Sequence, residues 1–99
     1  MNVFFTDEAK ADLVHIAASI AQTNPARASR VFQELRQRCE GLGDMPHRFS
    51  LVPRYEHTGI RRRVVGDYLL FYRVGDASIQ ILHILHGATD YAAYFLQDR

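Results

Sequence analysis

The sequence predicts an α+β fold in the order β-α-α-β-β-β, a helical hairpin packed on a small, mainly antiparallel sheet. Three observations carry this reading. Two stretches with apolar residues at helical spacing flank the pair Asn24-Pro25. Three runs rich in β-branched and aromatic residues follow residue 60, separated by Gly-Asp pairs. A short apolar run precedes the first helix. With 99 residues the chain is expected to be one domain, 1–99, with room for one core and little stability to spare.

Asn2 to Phe5 reads as a short strand, edge or central. Thr6 suits an N-cap, and Asp7 and Glu8 complement the dipole of the helix that follows. Ala9, Leu13, Ile16, Ala17 and Ile20 then form one apolar face. Asn24 caps the second helix, and Pro25 fits its first turn. Ala28, Val31, Phe32, Leu35, Cys39 and Leu42 repeat at helical spacing, and Gly41 and Gly43 mark the end. So short a link makes the pair an antiparallel hairpin.

Residues 44–59 carry Pro46, Pro53 and no clear periodicity, which predicts a long, partner-shaped or mobile connection. Ile60–Val65, Tyr68–Val74 and Ser78–His86 follow as strands. Gly66-Asp67 has the spacing and the glycine of a type II′ hairpin turn, so the strands form a meander. The last run, Ile79 to Leu85, is apolar on both faces, as in a central, doubly covered strand. The helical hairpin can cover one face. A short terminal helix carrying Tyr91, Tyr94, Phe95 and Leu96, or a partner protein, can cover the other.

A formal net charge of +1 does not demand nucleic acid, and direct DNA binding by the chain alone is not expected. All but one of its 12 basic residues are Arg, the exception being Lys10. The Arg fork suits carboxylates, phosphates and interfaces. The single cysteine, Cys39, permits no internal disulfide and no paired metal motif. The histidines are scattered without metal spacing, so neither a metal nor another cofactor is expected. No run approaches the ~20 apolar residues of a membrane span, and Met1–Lys10 lack a signal-peptide pattern. A cytoplasmic, reduced protein is the expectation.

Several segments resemble the ParE branch of the RelE/ParE toxin superfamily. Ala9-Lys10-Ala11-Asp12-Leu13 with Ile16 resembles its first helix, and Asn24-Pro25-Ala26 its interhelical turn. Ile60 through Val74 is similar to its hairpin, and Ile81 through Asp90 to its closing strand and turn. The resemblance implies a toxin of a type II toxin–antitoxin system. It would inhibit DNA gyrase by protein–protein contact and form a hetero-oligomer with a ParD-like antitoxin that neutralises it. A member that only pairs with its antitoxin and helps repress their operon is a further reading.

The RelE branch instead cleaves mRNA at the ribosome, which needs a base, an acid and a cation near the phosphate. Here Arg61, Arg73, His86 and Tyr91 are the candidates. Two departures count against that branch: the strands carry no lysine, and an apolar Tyr91–Leu96 segment follows the last strand. The non-catalytic reading places the partner surface on Arg61, Arg62, Arg63 and Arg73, with Met45 and Phe49 from the connection. Alternation sends Arg61 and Arg63 to one face and Arg62 to the other. A solvated edge strand guarded by charge is the plain alternative. Arg73 has a more apolar setting, where an ion pair with Asp90 or Glu56 is expected. His83 is expected beside Ile79, Ile81 and Leu85, buried and satisfied.

Overall fold

The computed structural model describes residues 1–95. Strand β1 (Asn2–Phe5) leads into α1 (Asp7–Ala21) and α2 (Pro25–Glu40). Three strands follow, β2 (Ile60–Val65), β3 (Tyr68–Val74) and β4 (Ser78–His86), and then a short helix, α3 (Ala92–Phe95). Leu96 lies outside the described residues.

Local chemistry sets the helix starts. The Thr6 hydroxyl accepts from the Ala9 N–H at 3.1 Å, and Asn24 Oδ1 accepts from the Arg27 N–H at 3.1 Å. The Thr6 hydroxyl also lies 2.8 Å from the Ile81 carbonyl and 3.1 Å from that of Leu82, donating to one at a time. One residue thus ends β1, starts α1 and ties both to β4. Gly66 has a φ of 56°, the left-handed conformation that the β2–β3 hairpin was expected to need.

The sheet order is β1-β4-β3-β2. β4 is central, between antiparallel β3 and parallel β1, with Asn2 opposite Ser78 and Phe5 opposite Ile81. The first strand made is therefore at the edge, beside the last. At the other edge the long connection bends back as an isolated bridge, Leu51 to Arg61. The Val52 N–H donates to the Ile60 carbonyl at 2.9 Å, and the Arg62 N–H to the Ser50 carbonyl at 3.0 Å. Part of the edge that charge was expected to guard is thus covered by backbone.

Two apolar layers result. On the helical side Ala9, Leu13, Leu35, Cys39 and Leu42 pack on Leu70, Tyr72, Ile79, Ile81 and Ile84. On the far side Val52, Ile60, Leu69, Phe71 and Leu85 form a second cluster, with Tyr55, Leu82 and Tyr91 against it. The 44–59 connection and Tyr91 therefore supply the cover that β4 requires. Leu42, from the apolar repeat that runs past the end of α2, is core.

A register shift between Phe71 and Tyr72 corrects the expected alternation in β4. Tyr72 pairs with Ile81 and Phe71 with His83, so Leu82 is an extra residue. Beyond this bulge Ile84, not His83, joins Ile79 and Ile81 against the helices. His83 is left half-buried.

The Met1 amino group donates to the Gly43 carbonyl at 3.1 Å. A Cβ on Gly43 would run into the Met1 carbonyl oxygen, while one on Gly41 would meet nothing within 4 Å. Gly43→Ala should therefore cost about 1–3 kcal/mol, as overpacking does. Gly41→Ala is the control, since Gly41 has an ordinary φ of −64°. Equal urea midpoints for the two variants would refute this packing of the N-terminus.

Candidate functional site

The arginine-bearing strand β2 presents its side chains as strand geometry requires. Arg61 and Arg63 point to the helical side. Arg61 donates to the Phe49 carbonyl at 2.8 Å, and Arg63 to the Arg38 carbonyl near the end of α2 at 3.1 Å. A cation there complements the negative end of the helix dipole. Arg62 takes the far side, where it donates to the Tyr91 hydroxyl at 3.3 Å. Arg73 also faces the far side, since its neighbour Tyr72 belongs to the helical core. Its Nε donates to the Thr58 carbonyl at 3.1 Å.

The ion pair expected for Arg73 with Asp90 or Glu56 is absent among the described residues. The three-residue helical turn Glu56–Thr58 offers a carbonyl instead, and Arg73 donates to it. Among the described residues, none of Arg38, Arg48, Arg61, Arg62, Arg63 and Arg73 has a carboxylate within 4.0 Å.

Phe49 is the organising ring of this surface. The Arg63 guanidinium carbon lies 4.8 Å from its centroid and that of Arg48 lies 5.4 Å away. Cation–π attraction of this kind operates within about 6 Å. Burial, and then the charges of Arg38 and Arg48, push the Arg63 pKa down from its ordinary value. Met45 stands 60% exposed in the adjoining turn, where its carbonyl accepts from the Arg48 N–H at 3.1 Å. The Tyr72 hydroxyl fixes the same turn by donating to the Pro46 carbonyl at 2.9 Å. Sequence reasoning named Arg63, Met45 and Phe49 but not Arg38 and Arg48, which the structure brings beside them. Their positions on a helix end and in an aperiodic loop give no pattern that points to β2.

The four residues of the nuclease reading do not gather. Arg61 and Arg73 emerge on opposite faces of the sheet. His86 pairs with Tyr68 and Arg73 with Ile60, at opposite ends of β3. Five residues of strand at ~3.4 Å each put about 17 Å between Tyr68 and Arg73. His86 accepts from the Ala88 N–H at 3.1 Å and sits edge-on to Tyr68. Tyr91 lies over Phe71, 5.1 Å between centroids, and meets Arg62.

On the other side of the molecule β1 ends at Phe5, so the outer edge of β4 beyond Leu82 lacks a strand. Asp12, from the second turn of α1, takes its place. Its Oδ2 accepts from the Ile84 N–H at 2.9 Å and lies 3.0 Å from His83 Nδ1. A cavity of about 360 Å³ opens beside it, lined by His15, Ser19, Tyr68, His86 and Tyr94 among others. No group of three or more His, Cys, Asp or Glu able to hold a metal occurs among the described residues. No helix among them is long and apolar enough to cross a membrane.

Comparison with solved structures finds the same architecture. A chain of the chromosomal ParDE toxin–antitoxin system from P. aeruginosa is similar, with a TM-score of 0.74 and 25% identity over 87% of this chain and 95% of that one. A chain of the RelBE2 toxin–antitoxin complex from Mycobacterium tuberculosis is similar, with a TM-score of 0.63 and 26% identity over 86% and 95%. No curated protein matches in sequence. The model of the ParE toxin family of type II toxin–antitoxin systems matches residues 3–91. That span takes in three strands and all but the first residue of β1, with the helical hairpin and the arginine surface, and the chain therefore belongs to the ParE toxin family.

Proposed function

We propose that this toxin acts by binding: it inhibits DNA gyrase through protein–protein contact and is neutralised by a ParD-like antitoxin. The family match over residues 3–91 supports the reading. So does the similarity to a chain of a ParDE system. The observation that carries the choice of a binder over a nuclease is the dispersal of Arg61, Arg73, His86 and Tyr91. General acid–base cleavage needs its groups within hydrogen-bond reach of one phosphate, and these four face different ways. Arg48 and Arg63 instead share the Phe49 ring with no carboxylate within 4.0 Å among the described residues, and Arg is a residue in which protein interfaces are enriched.

A RelE-type ribosome-dependent endoribonuclease is the second reading. It is favoured by the similarity to a RelBE2 chain and by the Arg62–Tyr91 contact of 3.3 Å. The test is brief induction without antitoxin, with new DNA and new protein pulse-labelled in parallel. DNA synthesis should fall first, and purified toxin should block supercoiling by gyrase in vitro. Early loss of protein synthesis, with mRNA cut at ribosomes, would reject the gyrase reading in favour of the nuclease.

A further inference from the structure

We infer that the arginines around Phe49 form a receptor for carboxylate side chains, and that its occupant is an acidic segment of the antitoxin. The inference rests on the proposed reading of the chain as a toxin held by a protein partner, and it names the chemistry of that contact. Arg48 and Arg63 share one aromatic ring, at 5.4 and 4.8 Å. Arg38, at the end of α2, gives its carbonyl to Arg63 and adds a third guanidinium. Two of these charges share the ring, and the charge of Arg38 is close enough to push the Arg63 pKa down, with no carboxylate within 4.0 Å among the described residues. Such a cluster is held under mutual repulsion, and an arriving anion relieves it. Arg63 uses one N–H for the Arg38 carbonyl and keeps others for a forked pair with a carboxylate.

Polypeptide carboxylates fit this surface better than a nucleic-acid backbone. Non-specific single-strand binding uses a basic groove that tracks ~4–16 nucleotides. Here the basic patch is short. Glu40 and Asp44 follow Arg38 in sequence, and the chain as a whole carries only +1. A phosphate backbone would run from the arginines into carboxylates, whereas one or two carboxylates need go no further. The exposed Met45 beside Arg48 adds an adaptable apolar contact of the kind protein interfaces use.

The test is titration of the purified toxin with hexaglutamate and, separately, with hexauridylate, followed by the Nε–Hε resonances of the arginines. Hexaglutamate should shift Arg48 and Arg63 saturably. Arg63→Ala should weaken its binding at least about tenfold. Arg63→Lys, which keeps the charge but loses the fork, should recover only part of it. Arg48→Ala changes an exposed loop side chain and should weaken binding in a chain that melts like the wild type. Three outcomes would overturn the proposal: no saturable shift, equal affinity in all variants, or tighter binding of hexauridylate at the same resonances. Failure of the toxin to inhibit gyrase would reject the target reading but leave this titration unaffected.

Discussion

Replacing Asp12 with alanine is expected to lower the melting temperature by roughly 10–20 °C, taking ~4–8 °C per kcal/mol for a domain of this size. The reason is the place Asp12 occupies. β1 stops opposite Ile81, and the next outward-facing donor of β4 is the Ile84 N–H. Without the carboxylate that donor loses its partner beside a fully buried side chain, and His83 loses the oxygen 3.0 Å from its ring. Hydrogen bonds to charged groups contribute about 1.5–3 kcal/mol each, and an orphaned donor costs about as much as the lost bond. Some water reaches the pair, whose side chains are 19% and 22% exposed, so the expected total is held to about 2–3 kcal/mol. Asp12→Asn keeps an acceptor oxygen and should retain a good part of the stability. A loss below about 0.5 kcal/mol in the alanine variant, the level of an ordinary surface substitution, would show that Asp12 does not bolt α1 to the sheet.

Alkaline pH should find the second weakness. Burial pushes the Cys39 thiol from 9.0 up to about 12, against the lowering effect of Arg63. At pH 8 the folded thiol should be roughly a thousandfold poorer in thiolate than the unfolded one, and thiolate is the reactive form. Ellman's reagent should therefore leave the native protein unlabelled and label it promptly in urea. The same shift couples to stability. Below pH 9 both states hold the proton, and the contribution is fully present. Between 9.0 and about 12 the unfolded chain releases it while the folded one does not. The unfolded state then binds fewer protons, so stability falls as pH rises, by up to ~1.4 kcal/mol per pH unit. Tyr72, raised from 10.0 chiefly by burial, acts in the same direction. Cys39→Ala should be less stable than the wild type at pH 7 and lose less between pH 9 and 11. Parallel curves for the two proteins over that window would contradict the assignment.

Local chemistry was legible in the sequence, and contacts made across the chain were not. Thr6, Asn24-Pro25 and Gly66-Asp67 act on neighbours within three or four residues, so their side chains announce the caps and the turn. The two-faced apolar pattern of Ile79–Leu85 announced a central strand. The same run hid the bulge at Leu82, because one extra residue in an apolar segment leaves its composition unchanged. Asp12 reads as one more polar residue on a helix surface, and only the early end of β1 gives it a backbone donor to hold. The loop 44–59 looked featureless because Val52 and Tyr55 are ordered by the far side of the sheet rather than by periodicity. Arg61–Arg63 were visible as a charged strand, and the strand period placed them on alternate faces. Their company was not visible, since Arg38 meets Arg63 from a helix end and Arg48 reaches Phe49 from a turn.

The parallel pairing of β1 with β4 bears on synthesis. Asn2 through Phe5 find their partners only in Ser78 through Ile81, and every earlier strand except β2 also pairs with β4. Before β4 leaves the ribosome the growing chain can form its helical hairpin and the β2–β3 ribbon, but it has no central strand on which to assemble them. A two-stranded ribbon alone is marginal in water, and contacts so distant in sequence are slow to close. The nascent toxin thus stays unfinished until β4 is made, and an incomplete product that ends before residue 78 lacks the central strand on which the arginine surface is assembled.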